Sequence, residues 1–591
     1  MVSAIVAAVP VAPVPSGVLA RHLPRLPTDR WIITGVLVAL LAWLALFLVW
    51  PMLAILARSL FDGQGTWLGL SLVQSIVLQP WFLQQTLRSL LVGITTTLIV
   101  VPLAYGFAYG LQRTCLPAKS VWRLFALLPL LAPSLLPGIS LIYLFGNQGL
   151  FRPWMGHASI YGFWGIVIGE AFYTFAHALM VLTTSLMLAD ARLYDAAKAM
   201  GAGPWRTFRT ITLPSSRHGV FSAACLVFTL TVTDFGVPKI IGGDYTVLAI
   251  EAYKAVVGQQ SFSKGAVIGL LLLTPALLTF GVDHWLRRSQ GSFISARAQP
   301  LMVRPSFPRD ATFTVLAALV CFVIVSIIGV SVWASFIKFW PYNLSLSFGS
   351  YDFNNMDGGG WIAWRNSMQM SALAALFGSL IVFAGAWITE AHHRPGDRAT
   401  RVMQSVLHGL CLAPMAIPGM VMGLGYIFFF NHPDNPLGFL YGSMSLLVIC
   451  SIVHFYTSAH LTAVTAIRTI DPDLDSAAAS LKVSRVETFL KVKLPICLPA
   501  LLDVARYLFV SSMTTVSAVV FLYSPSTVLA AVAVLNMDDA GFIGAAAAMC
   551  CVIMLSSGTV VLLLWLVSKT AIKHTQRWRT ATKASLSMVH T

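Results

Sequence analysis

Charge is scarce in this sequence. Acidic and basic side chains make up 10% of its 591 residues while 57% are hydrophobic, and the mean hydropathy is +0.79. Soluble domains carry about 25% charged residues, so that class is excluded in favour of a chain that buries much of its surface in lipid. Paired cysteines are lacking too. The eight cysteines include no CxxC, only Cys550 and Cys551 are adjacent, and most fall in apolar stretches, which argues for buried small hydrophobes over a disulfide framework. No His and Cys cluster has metal-ligand spacing, so no metal site is expected. A Gly-Lys dipeptide is absent, hence also the phosphate-binding loop GxxxxGK[ST], and the chain is not expected to be its own ATPase. The segment Met1 to Ala20 has no early basic cluster, which disfavours a cleaved signal peptide.

What is present is a series of long, continuous apolar runs, where a barrel would show short alternating segments. Hydropathy places spans at 31–57, 86–111, 122–146, 160–187, 218–238 and 265–286, then at 311–337, 367–390, 403–430, 442–467, 499–523 and 541–568. The expected class is an all-α polytopic membrane protein of about twelve helices. Its parts are an N-terminal tail 1–30, a six-span domain 31–286, a basic linker 287–310, a second six-span domain 311–568 and a tail 569–591. With an inner N-terminus, and with Arg88 and Arg123 at span ends counted on the sides those ends face, 29 Lys and Arg lie on the inner side, 8 on the outer side and Arg506 within a span. That bias is the positive-inside pattern, so the formal charge of +16 reads as topology and contact with anionic lipid, with no nucleic-acid partner needed.

The halves repeat at an offset of 281 residues. Asp190 to Pro214, DARLYDAAKAMGAGPWRTFRTITLP, is matched by Asp471 to Pro495, DPDLDSAAASLKVSRVETFLKVKLP. Leu131-Ala132-Pro133 with Pro137-Gly138 returns as Leu412-Ala413-Pro414 with Pro418-Gly419, and Phe172-Tyr173-Thr174 with His177 returns, two residues further on, as Phe455-Tyr456-Thr457 with His460. Six spans per copy keep both halves in one orientation, a parallel repeat with the pathway expected between them. In each repeated loop the apolar residues fall at i, i+3, i+4 and i+7, giving a short helix with a narrow stripe suited to docking.

The first loop resembles the EAA loop of bacterial ATP-binding-cassette import permeases. Asp195-Ala196-Ala197, Gly201 and Ile211-Thr212-Leu213-Pro214 stand at that family's spacing, with Asp for the usual Glu. The second copy, Ser476-Ala477-Ala478, Lys482 and Val492-Lys493-Leu494-Pro495, departs at the acid, the glycine and the isoleucine. Because lysine adopts the left-handed conformation less readily than glycine, the second helix is expected to end differently or run longer. The resemblance implies a type I ABC importer permease fold, a cytoplasmic membrane location with both termini inside, and loops that dock on a cytoplasmic ATPase dimer. It also implies a soluble periplasmic binding protein as partner. No cofactor is expected on this chain, ATP and Mg belonging to the ATPase.

Fused permeases of this length resemble those for ferric iron, phosphorylated sugars and 2-aminoethylphosphonate. The segment Thr233 to Pro238 is similar to one shared by the iron and phosphonate branches, while Met513 to Pro525 and Asn536 to Gly541 look most like the 2-aminoethylphosphonate permeases. Pathway candidates are Pro137, Gly138, Asp234, Phe235, Pro418 and Gly419, where the prolines and glycines are read either as packing kinks or as a gate. Of the in-span charges Glu170, Asp234, Asp503 and Arg506, the last two stand at i, i+3 and are expected to pair, while Asp234 is either a helix-end acid or part of the exit. His177 and His460 are expected to make matching packing contacts. The aromatic stretch 338–365 reads as an interfacial belt or a binding-protein contact. An ion-coupled secondary transporter, also built from two six-span halves, is the rival reading; its coupling acids would have to be found among few and unevenly shared in-span charges.

Overall fold

The computed structural model describes residues 27–61, 66–187, 190–288, 301, 303–390, 398–471 and 473–575. Much of the expected linker 287–310 and of both tails lies outside them.

The first half opens with α1, Pro27–Leu44, which continues through a π turn, Ala45–Val49, into α2, Trp50–Leu60. Then follow α3, Pro80–Arg113, α4, Lys119–Leu127, α5, Leu135–Phe145, and α6, Phe163–Met187. A short α7, Ala191–Ala199, precedes α8, Leu213–Thr233, the six-residue α9, Gly236–Ile241, and α10, Phe262–Arg288. The second half begins with α11, Phe307–Ser335, and a small antiparallel hairpin, β1 Ile337–Phe339 with β2 Asn343–Leu346. It continues with α12, Gly360–Glu390, α13, Arg398–Leu412, α14, Gly419–Phe430, α15, Met444–His454, α16, Tyr456–Arg468, and α17, Asp473–Ser480. It ends with α18, Leu498–Thr514, α19, Ala530–Asp539, and α20, Ile543–Thr575.

Among the described residues, seven helices are long and apolar enough to cross a membrane, and eleven spans result if each of four bent pairs counts as one. The twelfth expected crossing is α8, whose first two turns carry Ser215, Ser216, Arg217 and His218 and which is not among the eleven. The expected spans 122–146 and 403–430 are not single helices. Each breaks sharply, by 102° at Ala132 to Ser134 and by 112° at Ile417 and Pro418. Proline cannot donate to the preceding turn and disfavours helical backbone in the residue before it, so the ladder ends there. Pro137 causes no break, because it lies in the first turn of α5, where its missing N–H has no partner to lose. Span 442–467 is broken at Phe455 by 57°. Spans 218–238 and 499–523 end earlier than expected: α8 stops at Thr233 and α18 at Thr514, and the apolar residues beyond them turn back into the protein. Val237, Ile241, Val519 and Leu522 are buried there by protein, a setting in which irregular backbone is tolerated at membrane depth.

The first helix of each half packs on the other half. The α1–α2 rod lies against α12, α13 and α14, and its Ile33, Leu37, Leu44 and Leu48 belong to the same buried core as Leu446, Tyr456 and Leu508. Tyr426 donates its hydroxyl to the Phe47 carbonyl at 2.6 Å, and the Asp29 carboxylate accepts from the Arg485 amide at 2.8 Å. In return α11 packs on α3, α4 and α5, and Asp310, 281 residues after Asp29, accepts from the Cys115 amide at 3.1 Å. Lipid offers no hydrophobic drive for helix association, so close packing and hydrogen bonds of this kind carry the interlock.

Candidate functional site

The two repeated loops have one backbone plan. The Asp190 carboxylate caps α7 by accepting from the Arg192 amide at 3.1 Å, and Asp471 accepts from the Asp473 amide at 2.9 Å. At the other end the amide of Ala202 reaches the Ala197 carbonyl and that of Gly201 the Lys198 carbonyl; Val483 to Ala478 and Lys482 to Ala479 repeat both bonds. This is a Schellman ending, with the turning residue left-handed: φ is +73° at Gly201 and +58° at Lys482. The expectation that the second helix ends differently or runs longer is therefore wrong. The closing hydrogen bonds outweigh the strain on a non-glycine residue, which is roughly 1–2 kcal/mol.

A tie holds each short helix to the returning chain, with different chemistry in the two copies. In the first, the Tyr194 hydroxyl donates to Thr212 Oγ1 at 3.1 Å, and the Arg113 guanidinium lies over the Tyr194 ring at 5.2 Å while bonding the Leu186 carbonyl. In the second, Asp475 and Lys493, at the positions 281 further on, form an ion pair at 2.8 Å. Both returning chains widen into a π turn, Phe208–Thr212 and Phe489–Lys493, which carries Ile211 and Val492. Leu213-Pro214 then starts α8, and Leu494-Pro495 starts a short turn that bends by 73° at Cys497 before α18.

The outward faces also correspond. Asp195, Ala196, Ser476 and Ala477 are exposed, Ala197 is buried against the loop and Ala478 is half-buried. Met200 is 79% exposed and Leu481 76%, with Leu193 and Leu474 exposed about two helical turns before them. Lys198, Arg206 and Arg209 ring the first copy, all exposed. Two matched apolar knobs thus stand exposed.

The pathway candidates sit deeper, and the structure groups them within each half. A Cβ on Gly138 would lie 2.8 Å from Ile240 Cβ, and one on Gly419 2.6 Å from Ser517 Oγ. Each glycine admits the turned-back segment after α8 or α18, so these two positions serve close packing. Pro137 is buried in α5, and Pro418 marks the α13–α14 break. Asp234 accepts from the Val237 amide at 2.9 Å, capping the start of α9, with the fully buried Glu170 beside it. Phe235 is fully buried and meets Tyr253 at 4.7 Å, and Tyr253 in turn lies 6.1 Å from Phe521 of the second half. Asp503 and Arg506 form the expected pair. The two histidines are not equivalent: His177 Nδ1 lies 3.2 Å from the Tyr173 carbonyl, whereas His460 is wholly buried between Tyr456 and His408.

Sequence reading missed Lys239 and its partner. Lys239, one residue past the segment Thr233 to Pro238, forms an ion pair at 2.9 Å with Asp539, in the segment Asn536 to Gly541. The neighbouring Asp538 carboxyl is pushed up to about 6, first by burial and then by Asp539. Adjacent acids were visible, but nothing local linked them to a lysine 300 residues earlier.

The chain is similar to known proteins. The family model described as "Binding-protein-dependent transport system inner membrane component" matches residues 116–291 and again 398–571, each match containing one of the paired loops. The Ferric transport system permease protein FbpB of Actinobacillus pleuropneumoniae is 26% identical over 94% of this chain and 81% of its own length. The Putative ferric transport system permease protein FbpB 1 of Haemophilus influenzae is 26% identical over 84% of this chain and 79% of its own. The Molybdenum transport system permease protein ModB of Escherichia coli K12 is 27% identical over 35% of this chain and 93% of its own. The fold is that of a type I ABC permease carried twice in one polypeptide, and the chain belongs to the family of binding-protein-dependent transport system inner membrane components, as a multi-pass transport subunit and not an enzyme.

Proposed function

We propose that this subunit forms the transmembrane pathway of an importer for 2-aminoethylphosphonate, driven through its two paired loops by a separate cytoplasmic ATPase dimer and supplied by a periplasmic binding protein. The observation that carries the coupling role is the matched exposure of Met200 and Leu481 on helices with identical hydrogen-bonded ends. Two such knobs suit two copies of one partner, and exposed apolar side chains at matched places mark an interaction surface. ATP and Mg act on that partner. Its closure shifts the permease only because it contacts the two states differently. Both termini lie on the cytoplasmic side in this reading.

The substrate reading draws support from the meeting of two segments. Asn536 to Gly541, which resembles the phosphonate branch, is brought beside Thr233 to Pro238, which resembles a segment of both the iron and the phosphonate branches, by Lys239 and Asp539. Ferric iron is a second reading, favoured by the two ferric permeases that align along most of the chain.

Uptake of radiolabelled 2-aminoethylphosphonate by cells with and without this protein tests both, with ferric iron as competitor and with ATP depleted under a maintained proton gradient. Loss of uptake on deletion and on ATP depletion is expected. ATP-dependent uptake of iron alone would replace the substrate, and uptake that persists without ATP but fails with the proton gradient would replace the mechanism.

A further inference from the structure

Lys239 and the acids Asp538 and Asp539 face each other across the seam between the halves, at the end remote from the paired loops. Lys239 projects from α9, beyond the 21-residue α8, and Asp539 ends α19 just before α20. The lysine side chain keeps 25% of its surface and the aspartate 50%, so the pair is neither sealed nor fully solvated. Asp538 is the more enclosed acid and lies within electrostatic reach of Lys239 and of the Tyr143 and Tyr161 hydroxyls of the first half. Tyr143 is also 3.8 Å from the place a Cβ would take on Gly544, which puts it at the head of α20. Tyr161 also lines a polar cleft of about 600 Å³ with Arg88, Asn147, Ser159 and Asp244.

Two carboxylates against one ammonium leave this seam short of one positive charge. The lysine belongs to the first half and both acids to the second. Any motion that parts the halves here strips each charge of its partner in a half-buried setting, where an unpaired ion is costly. A small molecule bearing both an ammonium and an oxyanion supplies both missing partners at once.

We propose that Lys239, Asp538 and Asp539 form a substrate subsite for a small zwitterion, which fills the parted seam and is displaced when Lys239 and Asp539 pair again. The ammonium goes to the acids and the oxyanion to the lysine. This rests on the 2-aminoethylphosphonate reading, a molecule with that charge pattern, and assigns its two ends to opposite halves. Because substrate and ion pair exclude each other, closure of the seam and release of the solute are one event.

The test is ligand line broadening in NMR spectra, using the full permease–ATPase complex in nanodiscs with a non-hydrolysable ATP analogue and no binding protein. The probes are 2-aminoethylphosphonate and taurine as zwitterions, with ethylphosphonate and ethanolamine as single-charge controls. Both zwitterions are expected to bind more tightly than the controls. Lys239→Gln, and separately Asp538→Asn with Asp539→Asn, should each weaken zwitterion binding about tenfold, the loss of one charge-assisted contact. Retained ATPase activity of each variant complex certifies its fold, and the exchange Lys239→Asp with Asp539→Lys, which preserves the pair, is a second check. Unchanged zwitterion binding in the folded variants overturns the subsite, even if cells import 2-aminoethylphosphonate. Residue-dependent binding of taurine in a complex whose cells import no 2-aminoethylphosphonate keeps the subsite and discards the phosphonate reading.

Discussion

At position 482 a lysine holds a backbone conformation in which glycine is at ease, with φ of +58° against +73° at Gly201. Left-handed strain on a side chain costs roughly 1–2 kcal/mol, and glycine's freer unfolded chain offsets about 0.5–1 of that. Lys482→Gly should therefore slow amide exchange at Leu481 and Val483 modestly, and faster exchange would contradict the strain. In the reverse direction, a Cβ on Gly201 meets nothing within 4 Å, so Gly201→Lys should fold. Gly201→Glu shares that backbone cost and differs in charge alone. If the loop docks on an acidic rim, transport should fall further in the glutamate variant than in the lysine variant; equal losses would assign the effect to the backbone. Met200→Glu and Leu481→Glu should each weaken ATPase association at least about tenfold, as expected for an apolar anchor at an interface. Co-purification of the ATPase with each variant reads this directly.

The paired loops share geometry while differing in what ties them down. Tyr194 to Thr212 is a neutral hydrogen bond, and Asp475 to Lys493 is an ion pair whose lysine is only 14% exposed. Tyr194→Phe should loosen α7 by about 1 kcal/mol. Asp475→Asn should loosen α17 by a comparable or larger amount, because the ammonium stays behind in a part-buried place. Amide exchange of α7 and α17 separates the two effects, and raised salt should speed exchange in α17 more than in α7. The 281-residue offset was legible here because capping acids, alanines and Leu-Pro recur in order. The common ending was not, since the glycine that signals it is absent from the second copy. Helix breaks were half legible. The prolines were visible, yet Pro137 and Pro133 look alike in sequence, and only their place relative to a helix start decides which one breaks the ladder.

Across the whole molecule the halves are interlocked, because α1–α2 belongs to the core of the second half and α11 packs on the first. Two polypeptides, 1–300 and 301–591, should therefore co-purify when produced together, and either alone should be degraded or aggregate; stable separate halves would contradict the interlock. The sequence by itself determined the membrane class, the doubling of the unit and the position of both loops, since hydropathy and an internal repeat are properties of neighbours along the chain. It overextended the spans at 218–238 and 499–523, because apolar residues buried by protein read the same as those facing lipid. Only the tertiary structure decided that the first helices change sides and that Lys239 meets Asp539. Those contacts join residues hundreds of positions apart, and no local spacing encodes a partner that folding alone brings near.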